Sequence, residues 1–200
     1  MAFELDMTPA SWQLWCFSVL VLGMFMAVEW DLREHRIPNV LIVLLLTLGL
    51  IMHTVGPANG RAGLFDAFPG ALGTVKAGLG VLAGLAVFLP FYVSRSMGAG
   101  DVKLMAALGA FVGPGEVIGL ALSVLVAGGV LAAFRMLLKR NARRVMGNVK
   151  LVLSGWGYGI SRFDPATQSA DRMPYAFSFA LGLLAFSSWR LSGGMQILGF

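Results

Sequence analysis

Two aspartates at the edges of apolar runs are the residues of this chain best suited to chemistry. Asp31 closes one run in Glu29-Trp30-Asp31-Leu32-Arg33-Glu34-His35-Arg36-Ile37-Pro38-Asn39, and Asp101 opens another in Gly98-Ala99-Gly100-Asp101-Val102-Lys103-Leu104. An ionised carboxylate beside hydrocarbon is costly unless it is solvated, paired or used. Two carboxylates close together in a poorly solvated site do not comfortably both ionise, so such a pair holds a single proton over a range of pH. That state suits peptide hydrolysis. The ionised member takes a proton from water as it attacks the scissile carbonyl, and the protonated member hydrogen-bonds the carbonyl oxygen. No activated serine, cysteine or metal is then required. Gly98 and Gly100 are expected to allow backbone conformations and a close substrate approach denied to larger residues. Each aspartate alone also has a plainer use. Gly-Ala-Gly-Asp before an apolar run is a good helix N-cap, and Asp31 can pair with Arg33 or Arg36 in headgroup water.

The two carboxylates can act together only if the elements carrying them bring both to one depth on one side. With 58% hydrophobic and 12% charged residues and a mean hydropathy of +0.79, the 200-residue chain has too few charges to cover a soluble globule. It belongs in a bilayer. The formal charge of +5 does not point to nucleic acid, because the 15 Lys and Arg lie in certain connecting segments and form no continuous stripe. Cys16 is the single cysteine, and His35 and His53 lie far from it and on opposite sides of the membrane, so no disulfide framework or metal site is expected, and no cofactor. No Lys or Arg precedes the first apolar run, which is expected to be a retained span and not a cleaved signal.

A helix needs about 20 apolar residues to cross a hydrocarbon layer of roughly 30 Å. Spans are expected near 11–30, 37–55, 71–93, 101–113, 115–138 and 174–189, giving an all-α polytopic membrane protein of about six transmembrane helices in a single domain, 1–200. The fourth run would rise only about 20 Å, which is short enough for a re-entrant segment. Charge decides for a crossing. With six spans, twelve of the fifteen basic residues fall on one side, leaving Arg61, Arg190 and Lys76 elsewhere. The positive-inside rule makes the basic side cytoplasmic and both termini extracytoplasmic, as expected for a multi-pass protein of the inner (cytoplasmic) membrane. Asp31 and Asp101 then share the cytoplasmic boundary.

Glycine, 26 of 200 residues, recurs in small-xxx-small spacings at Gly80/Gly84, Gly109/Gly113 and Gly115/Gly119, which are read as packing positions. The segment 139–172 mixes basic and apolar residues and is expected to be cytoplasmic, part of it an interfacial helix whose partner is anionic lipid or, as the less favoured alternative, a substrate. Lys76 reads as a snorkelling residue, Glu116 as a first-turn carboxylate complementing a helix dipole, and Glu29 as a neighbour that tunes Asp31 or faces water.

On its two motifs the chain resembles the type IV prepilin leader peptidases, a bacterial and archaeal family of GxGD membrane aspartyl proteases. Asp31-Leu32 followed by Ile37-Pro38-Asn39 is similar to the family's first-aspartate motif, and Gly98-Ala99-Gly100-Asp101-Val102-Lys103-Leu104 to its GxGD-x-K-L motif. Met173-Pro174-Tyr175-Ala176-Phe177 is similar to the start of the family's last helix. The resemblance covers most of the chain from Asp31 onward. It implies that Asp31 and Asp101 are catalytic, with Gly98 and Gly100 in the active-site loop and Lys103, Pro38 and Asn39 in support. The implied reaction removes short basic leaders from pilin or pseudopilin precursors on the cytoplasmic side, usually after a glycine. Larger relatives also methylate the new N-terminus with an added cytoplasmic segment bearing cysteine pairs. Only six residues separate Trp30 from Ile37 here, and those cysteines are absent, so the chain resembles the short, peptidase-only branch serving tight-adherence (Flp-type) pili. A presenilin-type protease would also carry GxGD, but no Pro-Ala-Leu motif stands near the last helix. A small transporter or assembly scaffold would account for composition and charge asymmetry without requiring both aspartates.

Overall fold

A computed structural model describes residues 8–57, 64–65, 70–94, 97–138 and 175–192. Among these every regular element is helical. Helix α1, Pro9–Glu34, starts where the Thr8 side chain accepts from Ser11 N, with Pro9 in the first turn, where its missing N–H is no loss. It stops at His35, whose φ of 51° lies in the left-handed region, one a histidine enters more readily than most residues. Ile37 precedes a proline and is steered out of helical geometry, so α2 is Asn39–Val55, beginning two residues after the expected 37. Helix α3, Thr74–Val93, likewise starts later than the expected 71, because Gly73 holds φ at +81°.

The expected fourth and fifth spans form one helical element, α4, Ala99–Leu138, interrupted at Gly113 (φ 80°, ψ 172°) before Pro114. Only glycine takes that backbone without strain, and proline can open the second arm because it needs no N–H partner there. The arms fold back on each other. Along the first arm, a Cβ on Gly84 would meet the Met105 backbone and one on Gly80 the Gly109 carbonyl, so α3 runs antiparallel to it. Along the second, Gly119 faces Phe186, Gly182 faces Val124 and Gly128 faces Ser178, setting it antiparallel to helix α5, Tyr175–Leu191. The N-terminus of α5 meets Asp31 through Ala176, and Phe179 stacks near Phe88 with centroids 5.6 Å apart, at the end of α3 beside the start of the first arm. The beginning of α4 and its far end therefore lie on the same side of the molecule.

The first arm is the centre of the core. Val102, Leu104 to Leu108 and Ala110 to Val112 are all buried, as expected of a helix apolar on every face. Its shortness is accommodated because protein, not lipid, surrounds it. Large apolar side chains such as Leu14 and Phe25 of α1, Val43 of α2, Leu82 of α3 and Leu122 of α4 are exposed instead, which is the surface of a membrane protein. Among the described residues three helices are long and apolar enough to cross a bilayer: α1, α3 and the stretch Ala99–Arg135 of α4.

Away from the aspartates, buried His53 accepts from Leu72 N through Nδ1 at 3.1 Å, and its ring meets Trp12 edge-on at 5.0 Å. Two of the sequence readings change. Glu116 is more than a dipole partner, since it forms a part-buried ion pair with Arg190 of α5. Gly115 has open space beside it, so within the Gly115/Gly119 pair only Gly119 is packed. The segment 139–172, Pro174 and both chain ends lie outside the described residues.

Candidate active site

Asp31 sits in the last turn of α1 and is buried. Its Oδ2 accepts from the backbone N–H of Ala176 at 2.9 Å. Ala176 is the second residue of α5, so the carboxylate satisfies one of the N–H groups that a helix start leaves without an internal partner, at the positive end of the helix dipole. The plainer role of ion-pair partner to Arg33 does not hold, because Arg33 bonds Glu29 Oε1 at 2.6 Å, one turn back along α1. Glu29 is thereby engaged with Arg33.

Asp101 is the third residue of α4 and is also buried. Its Oδ2 accepts from Gly98 N at 3.2 Å, so the side chain reaches back over the helix start, the contact made by the third-position acid of a capping box. It is not itself the N-cap. The expectation that Gly98 and Gly100 take special backbone conformations is not met: among the described residues the positive-φ glycines are Gly73 and Gly113. Space explains Gly98 better, since a Cβ there would stand 3.3 Å from Asp101 Oδ2 and press on the carboxylate. At Gly100 a Cβ would make an ordinary contact with Ile37, 3.7 Å away, which shows the glycine loop lying against the Ile-Pro-Asn turn.

That adjacency joins the two motifs. Lys103 Nζ donates to Asn39 Oδ1 at 3.1 Å, tying the first turn of α4 to the first turn of α2. Pro38 is the N-cap residue of α2 and fixes where that turn begins. The field of the Asp31 carboxylate reaches Asp101, and that of Asp101 reaches Tyr175, the residue before Ala176. His35 lies within electrostatic reach of Asp31. Three helix ends thus converge: the C-terminus of α1 and the N-termini of α4 and α5.

The parts that sequence reasoning missed are Tyr175 and the Ala176 N–H. A backbone donor leaves no mark in a sequence, although the Pro174-Tyr175 step does announce a helix start at the right place.

These helices, with their apolar outer surface and two buried acids at one end, are those of a membrane protein. The sequence model of the type IV leader peptidase family matches residues 18–133, and the chain belongs to that family. It is a peptidase by that membership. The matched stretch contains Asp31 and Asp101 and ends before α5, which supplies the donor to Asp31. No curated protein and no solved structure matches the chain.

Proposed function

We propose that this peptidase is an aspartic endopeptidase that cuts short basic leaders from type IV pilin-like precursors, Flp-type pilins and pseudopilins, at the cytoplasmic face of the inner membrane. The observation that supports the reading is that Asp31 and Asp101 both lie buried at one end of the helices, within electrostatic reach of each other and each with one oxygen held by a backbone N–H. Each carboxylate keeps a second oxygen for chemistry. The ionised aspartate takes a proton from water, and the water oxygen bonds to the scissile carbonyl carbon. The protonated aspartate donates to the carbonyl oxygen. Collapse of the tetrahedral intermediate breaks the C–N bond, and the amine leaves with the proton first taken from water. Lys103, Asn39 and Pro38 support the loop and take no chemical step. The reaction stops at cleavage, and methyl transfer has no residues assigned to it.

Six crossings with both termini extracytoplasmic fit the same reading. The reversal at Gly113 brings the far end of α4 back toward the side of the aspartates, and in the proposed topology the basic 139–172 segment is cytoplasmic. That side is where a basic leader waits before cleavage.

The test is cleavage of a purified precursor bearing a basic leader that ends in glycine, by the purified chain and by Asp31→Asn and Asp101→Asn. Asn can still accept from Ala176 N or Gly98 N but cannot act as an ionised base or exchange the shared proton. Each variant should insert normally and fail to cleave, while exposed Lys76→Gln, the control, cleaves normally. Substantial cleavage by either well-inserted Asn variant would sink the two-carboxylate mechanism.

A further inference from the structure

Tyr175 is the first residue of α5, and the next residue donates its backbone N–H to Asp31 at 2.9 Å. Its position is therefore fixed by the site itself. The side chain is half-buried, and its hydroxyl makes no hydrogen bond among the described residues. Asp101 lies close enough for its charge to act on the phenol. Three neighbouring donors are already committed. Gly98 N and Ala176 N are bonded to the two carboxylates, and the Lys103 ammonium is bonded to Asn39. Among the described residues Tyr175 thus offers the pair a neutral phenol, a side-chain donor that stays protonated at working pH.

Resting on the aspartic peptidase reading above, we propose that Tyr175 is a catalytic residue whose hydroxyl donates a hydrogen bond to the oxygen of the scissile carbonyl as it becomes an oxyanion. Tetrahedral intermediates gather negative charge on that oxygen, and a donor already in place stabilises it without reorganising. The protonated aspartate supplies one such bond and Tyr175 the second. No proton transfer from the phenol is needed. The placement also explains why α5 is clamped to Asp31 by its own backbone: the same bond that satisfies the carboxylate fixes the phenol one residue away.

The test uses the full-length chain in lipid nanodiscs and the same leader-bearing precursor. Tyr175→Phe keeps the ring and its packing and removes only the donor. Loss of one oxyanion donor lowers kcat by about 10²- to 10³-fold, with KM little changed because the bond forms chiefly in the transition state. Replacing Tyr175 with 3,5-difluorotyrosine restores a donor but one that ionises at lower pH. Cleavage should return in acid, and the alkaline limb of the pH profile should move downward. The neighbouring titrating groups, Asp31 and His35 from the α1 end and Asp101 and Lys103 from α4, are the same in both proteins. Cleavage by Tyr175→Phe at near the unaltered kcat would overturn the assignment, as would a rise in KM alone. So would an unmoved alkaline limb in the fluorinated protein, which keeps the question answerable if the phenylalanine variant folds poorly. Failure of the unaltered chain to cleave, or cleavage by Asp31→Asn, refutes the underlying reading instead.

Discussion

Gly84 gives the sharpest test of how the Asp101 arm is held. A Cβ at this position would stand 2.5 Å from the Met105 carbonyl oxygen and 3.1 Å from its carbon, both backbone atoms that cannot rotate aside. Real Cβ contacts do not fall below 3.0 Å, so Gly84→Ala must push α3 and the first arm apart by about 0.5 Å. Overpacking of this kind costs about 1 to 3 kcal/mol. Gly78 lies on the same helix with nothing within 4 Å of its Cβ position, and Gly78→Ala collects the same gain in helix propensity without the clash. The difference between the two variants isolates the contact. For a chain of this size it amounts to about 2 to 12 °C in melting temperature, read by tryptophan fluorescence in nanodiscs. Met105 is one turn from Asp101, so the displacement should also reach the carboxylate; a shift of about 1 Å in a reacting group can cost about 10²-fold in rate. Gly84→Ala should therefore melt below Gly78→Ala and cleave more slowly. Equal melting temperatures would show that α3 and the Asp101 arm do not meet at this point.

Three further outcomes follow from the site and the topology. In a double-mutant cycle of Lys103→Met and Asn39→Ala, thermal unfolding should show a coupling of about 0.5 kcal/mol or more, and strictly additive effects would remove the tie between the motifs. Chelation should leave cleavage intact, since in the proposed mechanism two carboxylates supply both acid and base; loss of activity restored by one added metal would assign a different reaction class. Reporter fusions within 139–172 should read cytoplasmic and those at both termini extracytoplasmic, and the reverse would separate the aspartates from a cytoplasmic leader.

The sequence carries the site's acids more openly than it carries their partners. Asp31 and Asp101 are visible because an acid at the end of an apolar run demands an explanation, and the helix break is visible because Gly113-Pro114 has few other uses. The donor to Asp31 is not visible. It is a main-chain N–H 145 residues away, identical in sequence terms to any other. The ion pair of Glu116 with Arg190 was hidden for a related reason: both are single charges near the ends of apolar runs, and nothing in their spacing across 74 residues selects one partner over another. The starts of α2 and α3 fall two and three residues later than hydropathy implies, because hydropathy continues through Ile37 and Ala71, whereas backbone geometry at Pro38 and Gly73 decides the boundary. The first arm of α4 reads as too short for a span by the lipid criterion. Its burial inside the protein removes that criterion, because its ends need not reach both headgroup layers.

The plain structural uses of the two aspartates are compatible with the chemical use proposed for them, and the capping geometry gives the reason. Asp31 caps α5 and Asp101 closes the first turn of α4, so both acids hold helix starts together in the way a purely structural reading would want. A cap needs one oxygen acceptor. A carboxylate has two, and in both cases the contact engages Oδ2, leaving Oδ1 for water or a carbonyl. Structural acids on separate helices have no reason to meet, and a like-charged pair in a buried place is a liability unless its shared proton is used. Here the three helix ends that carry or cap the acids converge on one point. The capping bonds therefore act as the mount: they fix the direction of each carboxylate through main-chain donors that a change of protonation cannot remove. It follows that folding and catalysis should separate cleanly at these positions, with Asn keeping the mount and losing the reaction. Ala would lose both, leaving the Ala176 and Gly98 N–H groups unpaired at a cost of about 1 to 3 kcal/mol each where they are buried.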